Sequence, residues 1–224
     1  MAVTAGSPEF AHGDEVTTLL QRAAAGDGSA WVQIVERYGR RVFALAQSRC
    51  RNCDVAEEIT QSVFVTVAEK VGAGDYTECG RFEQWLFRVA MNRVRDHVRR
   101  VKRRGSTGDE ATLSAIASKE RESSESDRFQ ELALLRKALE TLSDQDREIV
   151  ELRHHGGLSF KQISDVLDEP LGTLLARHHR ALKKLREAIE AMDVRADVLA
   201  RFRSGIEAAV GGDAGEGPRM GVVS

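Results

Sequence analysis

Arginine recurs in steps of three and four along residues 81–105, "RFEQWLFRVAMNRVRDHVRRVKRRG". Arg88, Asn92, Arg95, Arg99 and Arg103 form one seam at helical spacing. Nine Lys/Arg against Glu83 and Asp96 give residues 81–104 a local charge of +7. Guanidinium groups along one helix face can hold successive phosphates through charge-assisted hydrogen bonds. Asparagine is a poor helix former. Its place inside this seam fits an amide that meets a base or a sugar-phosphate group. Phe82, Trp85, Leu86, Val89, Ala90, Val94, Val98 and Val101 make the apolar face that packs inward, with Trp85 read as core rather than as a base-stacking platform. Charge alone leaves an acidic membrane surface or a partner protein as other takers for such a helix.

A second cationic run lies near the other end. Arg177, Arg180, Lys183, Lys184 and Arg186 fall in residues 174–186 with no acid between them, while Leu182, Leu185 and Ile189 continue an inward face. Such a helix can lie in a DNA major groove, its first residues on base edges and its later cations on phosphates. A solvated amphipathic helix has the same composition. The elements before it favour the groove: "FKQISDVL" is an apolar-faced helix, "DEPLG" a short turn, and Thr173 a candidate cap for the basic helix. His178 falls on the inward side, in register with Leu175, Leu182 and Leu185, and reads as a packed neutral imidazole.

The remaining elements are those that must position these two helices. Residues 14–26, 28–50 and 53–71 read as helical stretches, with Ser29 and Asp54 as expected caps. The expected inward residues are Trp31, Ile34, Val35, Val42, Leu45 and Ala46, then Ile59, Val63, Phe64, Val67 and Val71. "GAGDYTECG", residues 72–80, is a loop by its three glycines. Residues 105–127 carry six acids and two bases without periodicity and read as a tether. Beyond it, Ser143 with Asp146 and Ser159 with Gln162 mark helix starts, and Gly156–Gly157 a stop. Residues 193–210 are expected to form a further helix, and the glycine-rich end after them to be disordered.

The fold expected is therefore all-α, two small helical domains joined by a flexible linker, the second a helix-turn-helix domain. The predicted boundaries are 11–104, 105–127 and 128–191, with an extension over 192–224. Residues 1–10, with "AGSPEF", read as a cloning linker. A net charge of −2 over 224 residues conceals the segregation of charge, so it argues nothing against an anionic partner. No apolar run is long enough for a membrane span and no signal peptide is visible, so a cytoplasmic protein without membrane insertion is expected. Cys50, Cys53 and Cys79 read as free thiols, because a structural metal site needs four ligands at suitable spacing. No metal, cofactor or catalytic constellation is expected, and the chain is not read as an enzyme.

"DVAEEITQSVFVTVAEK", "FEQWLFRVAMNRVRDHVRR" and "GLSFKQISDVLDEPLGTLLARHHRALKKL" together resemble a bacterial RNA polymerase sigma factor of the short, two-domain, extracytoplasmic-function (group IV) type. The resemblance covers about residues 14–191, with three motifs in the family's order. It implies that the first domain docks on the clamp helices of the core polymerase's largest subunit through Asp54, Glu57, Glu58 and Gln61. It implies that the loop at 74–81 and the following helix recognise and open the −10 promoter element, with Asp75, Tyr76, Phe82, Arg88, Asn92, Arg95, Arg99 and Arg103 in that role. An extruded base and its strand need a mobile loop and a cationic track. The second domain would read the −35 duplex through Thr173, Arg177, His179, Arg180, Lys183 and Lys184.

Leu175, Ala176 and His178 depart from the family's usual lysine, serine and apolar residue, which bears on the −35 sequence preferred. The resemblance also implies restraint by an anti-sigma factor, with self-regulation by the C-terminal extension as the other possibility. The rival reading is a dimeric helix-turn-helix regulator that does not bind core polymerase. That reading has no use for the loop and cationic helix at 72–104.

Overall fold

A computed structural model describes residues 8–105 and 126–192, together with Ser204. Its elements are α-helices, with no strand among the described residues. The chain divides into two compact units, residues 1–108 and 109–224. The first holds α1 (Pro8–Ala24), α2 (Gly28–Cys50), α3 (Cys53–Gly72) and α4 (Phe82–Gly105). The second holds α5 (Ser126–Glu140), α6 (Asp144–His154), α7 (Phe160–Leu167) and α8 (Leu171–Glu190). The expected tether lies outside the described residues except at its two ends, and the expected helix at 193–210 lies outside them apart from Ser204.

In the first unit, α2 packs on α1, α3 and α4, and α3 also packs on α4. The helix α1 begins at Pro8, ahead of the expected residue 14. Proline suits that first position, since its fixed φ is helical and its missing N–H has no partner to lose there. The buried stripe of α2 is Ala30, Ile34, Tyr38, Val42, Leu45 and Ala46. Tyr38 draws the face round by one position. Trp31 is thus only half-buried, and Val35, expected inside, is exposed.

Two caps differ from expectation. Asp27, not Ser29, caps α2, accepting from the Ser29 N–H at 2.9 Å while Arg22 holds the other carboxylate oxygen at 2.7 Å. Asn52, not Asp54, caps α3, accepting from the Val55 N–H at 3.0 Å. Arg51 takes the left-handed conformation there (φ 56°), which ends α2 and leaves Asn52 extended. Asp54 sits within the first turn, where its negative charge favours the helix dipole.

Ala56, Ile59, Val63, Val67 and Val71 of α3 and Phe82, Leu86, Phe87, Ala90, Met91 and Val94 of α4 are buried, and the two helices pack on each other. Phe87 and Met91 were not in the expected set. Trp85, Val89, Val98 and Val101 are half-buried, so the packed stripe is steeper than the spacing predicts.

In the second unit, α8 packs on α5, α6 and α7. Ala138, Leu139, Leu142 and Val150 cluster with Ala181, Leu182, Leu185 and Ile189. The Ser143 hydroxyl accepts from the Asp146 N–H, and Ser159 with Gln162 forms a complete capping box at α7. At the α6 stop, a Cβ on Gly156 would lie 2.4 Å from the Leu152 carbonyl oxygen, so only glycine fits. Asp168 ends α7 in the left-handed conformation (φ 58°). Only Glu169 and Pro170 then connect it to α8, which starts at Leu171. Thr173, expected as the cap, falls inside the first turn, and no side chain caps this helix.

Candidate nucleic-acid and polymerase interfaces

In the first unit, the loop between α3 and α4 is stapled from both sides. Lys70 Nζ meets an Asp75 carboxylate oxygen at 2.8 Å, and the Tyr76 hydroxyl donates to Glu78 at 2.6 Å. The same Glu78 carboxylate accepts from the Arg81 N–H at 2.9 Å, tying the loop to the start of α4. Tyr76 stacks on Trp85 (centroids 4.2 Å, 22°) and meets Phe82 edge-on at 5.9 Å, and Phe82 meets Tyr38 edge-on at 5.5 Å. Burial, reinforced by the Glu78 carboxylate, pushes the Tyr76 hydroxyl up, so it remains a protonated donor.

This geometry revises two expectations. Phe82 is 2% exposed and cannot meet a base from its position; it supports the loop from below. Trp85 is not closed into the core but presents one ring face to Tyr76.

The seam on α4 projects as its spacing predicts. Arg88, Asn92, Arg99 and Arg103 are exposed and Arg95 is half-exposed. Glu83, the acid at the helix start, pairs with Arg41 of α2, and Arg93 donates to the Thr66 hydroxyl of α3 at 3.0 Å. These cross-helix bonds fix the rotation of α4 and hence the direction of the seam. Towards its end, Arg99, Arg100, Lys102 and Arg103, with Asp96, line a concavity of about 560 Å³.

On α3, Asp54, Glu57, Glu58 and Gln61 are all exposed and share one face. Val65, one turn beyond Gln61, is 56% exposed on that face. The i, i+4 spacing from Gln61 was the signal that could have found it. Each of α2 and α3 buries its own apolar stripe against the other, so this face is left outward.

On α8, Leu174, His178, Ala181, Leu182, Leu185 and Ile189 are buried. Gly172, Thr173, Ala176, His179, Arg180, Lys183 and Lys184 are exposed. His178 is the packed imidazole expected: its ring lies edge-on to Phe160 (5.0 Å) and stacks with His154 (5.8 Å). Burial, then the neighbouring His154, Arg153 and His179, pulls its pKa down to about 4. Its Nε2 has no hydrogen-bond partner, which suits an uncharged ring.

Arg177 departs from the outward position expected of it. Its side chain is 17% exposed and its guanidinium bonds Glu169 and Gln145 of the same unit. Lys183 and Lys184 stand loosely near Glu187 (3.8 Å) and Asp146 (4.0 Å).

Cys50, Cys53 and Cys79 are not joined in disulfides. Among the described residues no group of three or more His, Cys, Asp or Glu is placed to hold a metal ion, and no helix is long and apolar enough to cross a membrane.

The comparisons with known proteins fall on the same two units. Residues 34–104 match the family model for Sigma-70 region 2, and residues 138–187 match that for Sigma-70, region 4. The chain is 32% identical over 184 residues to the ECF RNA polymerase sigma factor SigE of Mycolicibacterium smegmatis, covering 78% of this chain and 68% of that one. It is 28% identical over 185 residues to the ECF RNA polymerase sigma factor SigK of Mycobacterium ulcerans, covering 80% and 95%. Among solved structures, CnrH in complex with the cytosolic domain of CnrY matches with a TM-score of 0.61 at 25% identity, covering 79% of this chain and 97% of that one. The sigma factor RpoE of Bartonella quintana, in complex with the anti-sigma factor NepR, matches in fold with a TM-score of 0.57 at 23% identity, covering 71% and 96%.

Proposed function

The chain belongs to the ECF RNA polymerase sigma factors, and from that premise we propose how its residues divide the work of directing core polymerase to promoters. The α3 face of Asp54, Glu57, Glu58, Gln61 and Val65 docks on the clamp helices of the largest polymerase subunit. The loop carrying Asp75 and Tyr76, seated on Phe82, meets the −10 element. Arg88, Arg95, Arg99 and Arg103 hold the phosphates of the opened strand, and the Asn92 amide discriminates among its bases. The exposed half of α8, with Thr173, His179, Arg180, Lys183 and Lys184, reads the −35 duplex. Chemistry belongs to the polymerase; this chain contributes binding and strand separation, in the cytoplasm, with no cofactor.

The observation that carries the reading is the outward projection of two cationic helix faces, one in each unit. Both lie inside the residues matched by the two sigma regions. A dimeric helix-turn-helix regulator would leave the first face and its stapled loop without a task. The likeness to CnrH, solved in complex with the cytosolic domain of CnrY, supports a protein partner as the restraint on the free factor, and an anti-sigma protein is the partner proposed. The C-terminal extension, outside the described residues, is the other candidate.

Run-off transcription with purified core polymerase on a promoter library tests the whole reading. The chain should select a defined set of start sites. Selection of none, with intact polymerase binding, would remove the promoter-directing role. Failure to bind core polymerase would favour the duplex-binding regulator.

A further inference from the structure

Arg177 lies in the basic run that the sequence assigns to DNA, yet all three of its guanidinium nitrogens face the protein. Nη1 donates to both carboxylate oxygens of Glu169, at 2.9 and 2.7 Å. Nη2 donates to the Gln145 side-chain oxygen at 2.8 Å, and Nε faces the Asp146 carboxylate at 3.8 Å. These partners belong to different segments: Gln145 and Asp146 to the first turn of α6, and Glu169 to the connection before α8. Glu169 is itself tied back to α7, because its carbonyl oxygen accepts from the Ser164 hydroxyl. One planar fork therefore joins α6, the α7–α8 connection and α8. A lysine ammonium, a point charge without a fixed fork, could not satisfy that set in one geometry.

We propose that Arg177 is a positioning residue of the −35 reader: it clamps α8 to α6 and neutralises two rim carboxylates, while the DNA contacts fall to its exposed neighbours Arg180, Lys183 and Lys184. The inference rests on the assignment of α8 to −35 duplex. Its physical ground is competition. To reach a phosphate, Arg177 would leave Glu169 without its bidentate partner and Asp146 with only Lys184, at 4.0 Å, beside a polyanion, their side chains being only 28% and 16% exposed. Like charges so placed repel, and burial weakens screening by salt. The clamp is also an arginine pair that is largely shielded from water, unlike the exposed pairs that contribute little. Its effect on DNA is indirect, through the angle at which α8 leaves the turn and through the charge it cancels.

Holoenzyme made with the full chain, bound to a duplex carrying the −35 element it selects, is titrated against salt. The proteins compared are wild type, Arg177→Ala, Arg177→Lys, Glu169→Gln, the Arg177→Ala/Glu169→Gln double variant and Arg180→Ala. Arg180→Ala should flatten the log–log salt slope by about one phosphate equivalent. Arg177→Ala should weaken binding by about tenfold, the cost of one lost charge-assisted bond, and the double variant should keep the wild-type slope. The double variant should recover much of that loss, and Glu169→Gln alone should not tighten binding. Arg177→Lys should fall between wild type and Arg177→Ala.

A slope that stays flattened in the double variant, or tighter and more salt-sensitive binding in Glu169→Gln, would show Arg177 on phosphate and overturn the proposal. Thermal unfolding of the free variants gives a measure independent of DNA: the effects at 177 and 169 should be non-additive, and simple additivity would remove the clamp. If the wild-type holoenzyme shows no −35 dependence at all, the assignment of α8 to DNA fails while the unfolding cycle still decides the clamp.

Discussion

At the scale of single residues, the same amino-acid type does opposite things according to what its neighbours offer. Arg88 and Arg99 stand outward on α4, whereas Arg177 is absorbed by Glu169 and Gln145. Asn92, exposed among arginines, is predicted to act after polymerase has bound. Asn92→Ala should lower open-complex formation, read by permanganate footprinting, while leaving association with core polymerase at the wild-type level; equal opening by both proteins would end its assigned role.

His178 makes a pH prediction whose sign follows from its depressed pKa of about 4. The unfolded imidazole takes up a proton below its ordinary value near 6.5 and the folded one does not, so acid favours unfolding across that window. Stability is full above pH 6.5 and falls towards pH 4 by up to about 3 kcal/mol from this group. Thermal unfolding at pH 7 and pH 5 should show a smaller drop in His178→Leu than in wild type. His154 and His155, also lowered chiefly by burial, contribute a residual slope in the variant.

Helices carry the next level of meaning, because a face belongs to an element rather than to any one side chain. On α3, burial of Ala56, Ile59, Val63 and Val67 leaves Glu57, Glu58, Gln61 and Val65 outward together. Val65→Glu should weaken core-polymerase binding in competition assays and leave −35 duplex affinity unchanged, since the change sits on the other unit. Caps decide where such faces begin. Removing the capping box with Ser159→Ala should cost about 1 kcal/mol of the second unit's stability, measured by chemical denaturation. A loss near zero would mean that the packing of α7 on α8 holds its first turn without help.

For the molecule as a whole, the proposed reading divides promoter affinity between two cationic surfaces, one on each unit. Electrostatic binding of single strands releases about 0.7 counterion per phosphate contacted. Replacing Arg88, Arg95 and Arg99 together by Gln should therefore flatten the salt dependence of binding to a single-stranded −10 oligonucleotide by roughly two units of log–log slope. The −35 duplex slope should not change. Similar flattening on both ligands would mean that the two surfaces are not independent readers.

Periodicity and punctuation made most of the fold legible in the amino-acid order. An eight-residue α7 was readable because Ser159 and Gln162 announce its start, and α4 because its apolar and cationic positions each recur every three or four residues. The seam and the exposed part of α8 followed from the same rule, since a residue opposite a packed stripe must point outward; the α3 face came only with the family resemblance. What the linear order could not decide was competition between candidate partners, both near and distant in sequence. Asn52 displaced Asp54 as a cap because Arg51 adopts a left-handed turn, and Tyr38 drew the face of α2 away from Val35. Phe82 went beneath Tyr76 rather than towards a ligand, and Gln145, 32 positions earlier, helped to turn Arg177 inward. Helical spacing is local and survives in the sequence; the pairing of charges and rings across elements exists only once the helices are packed.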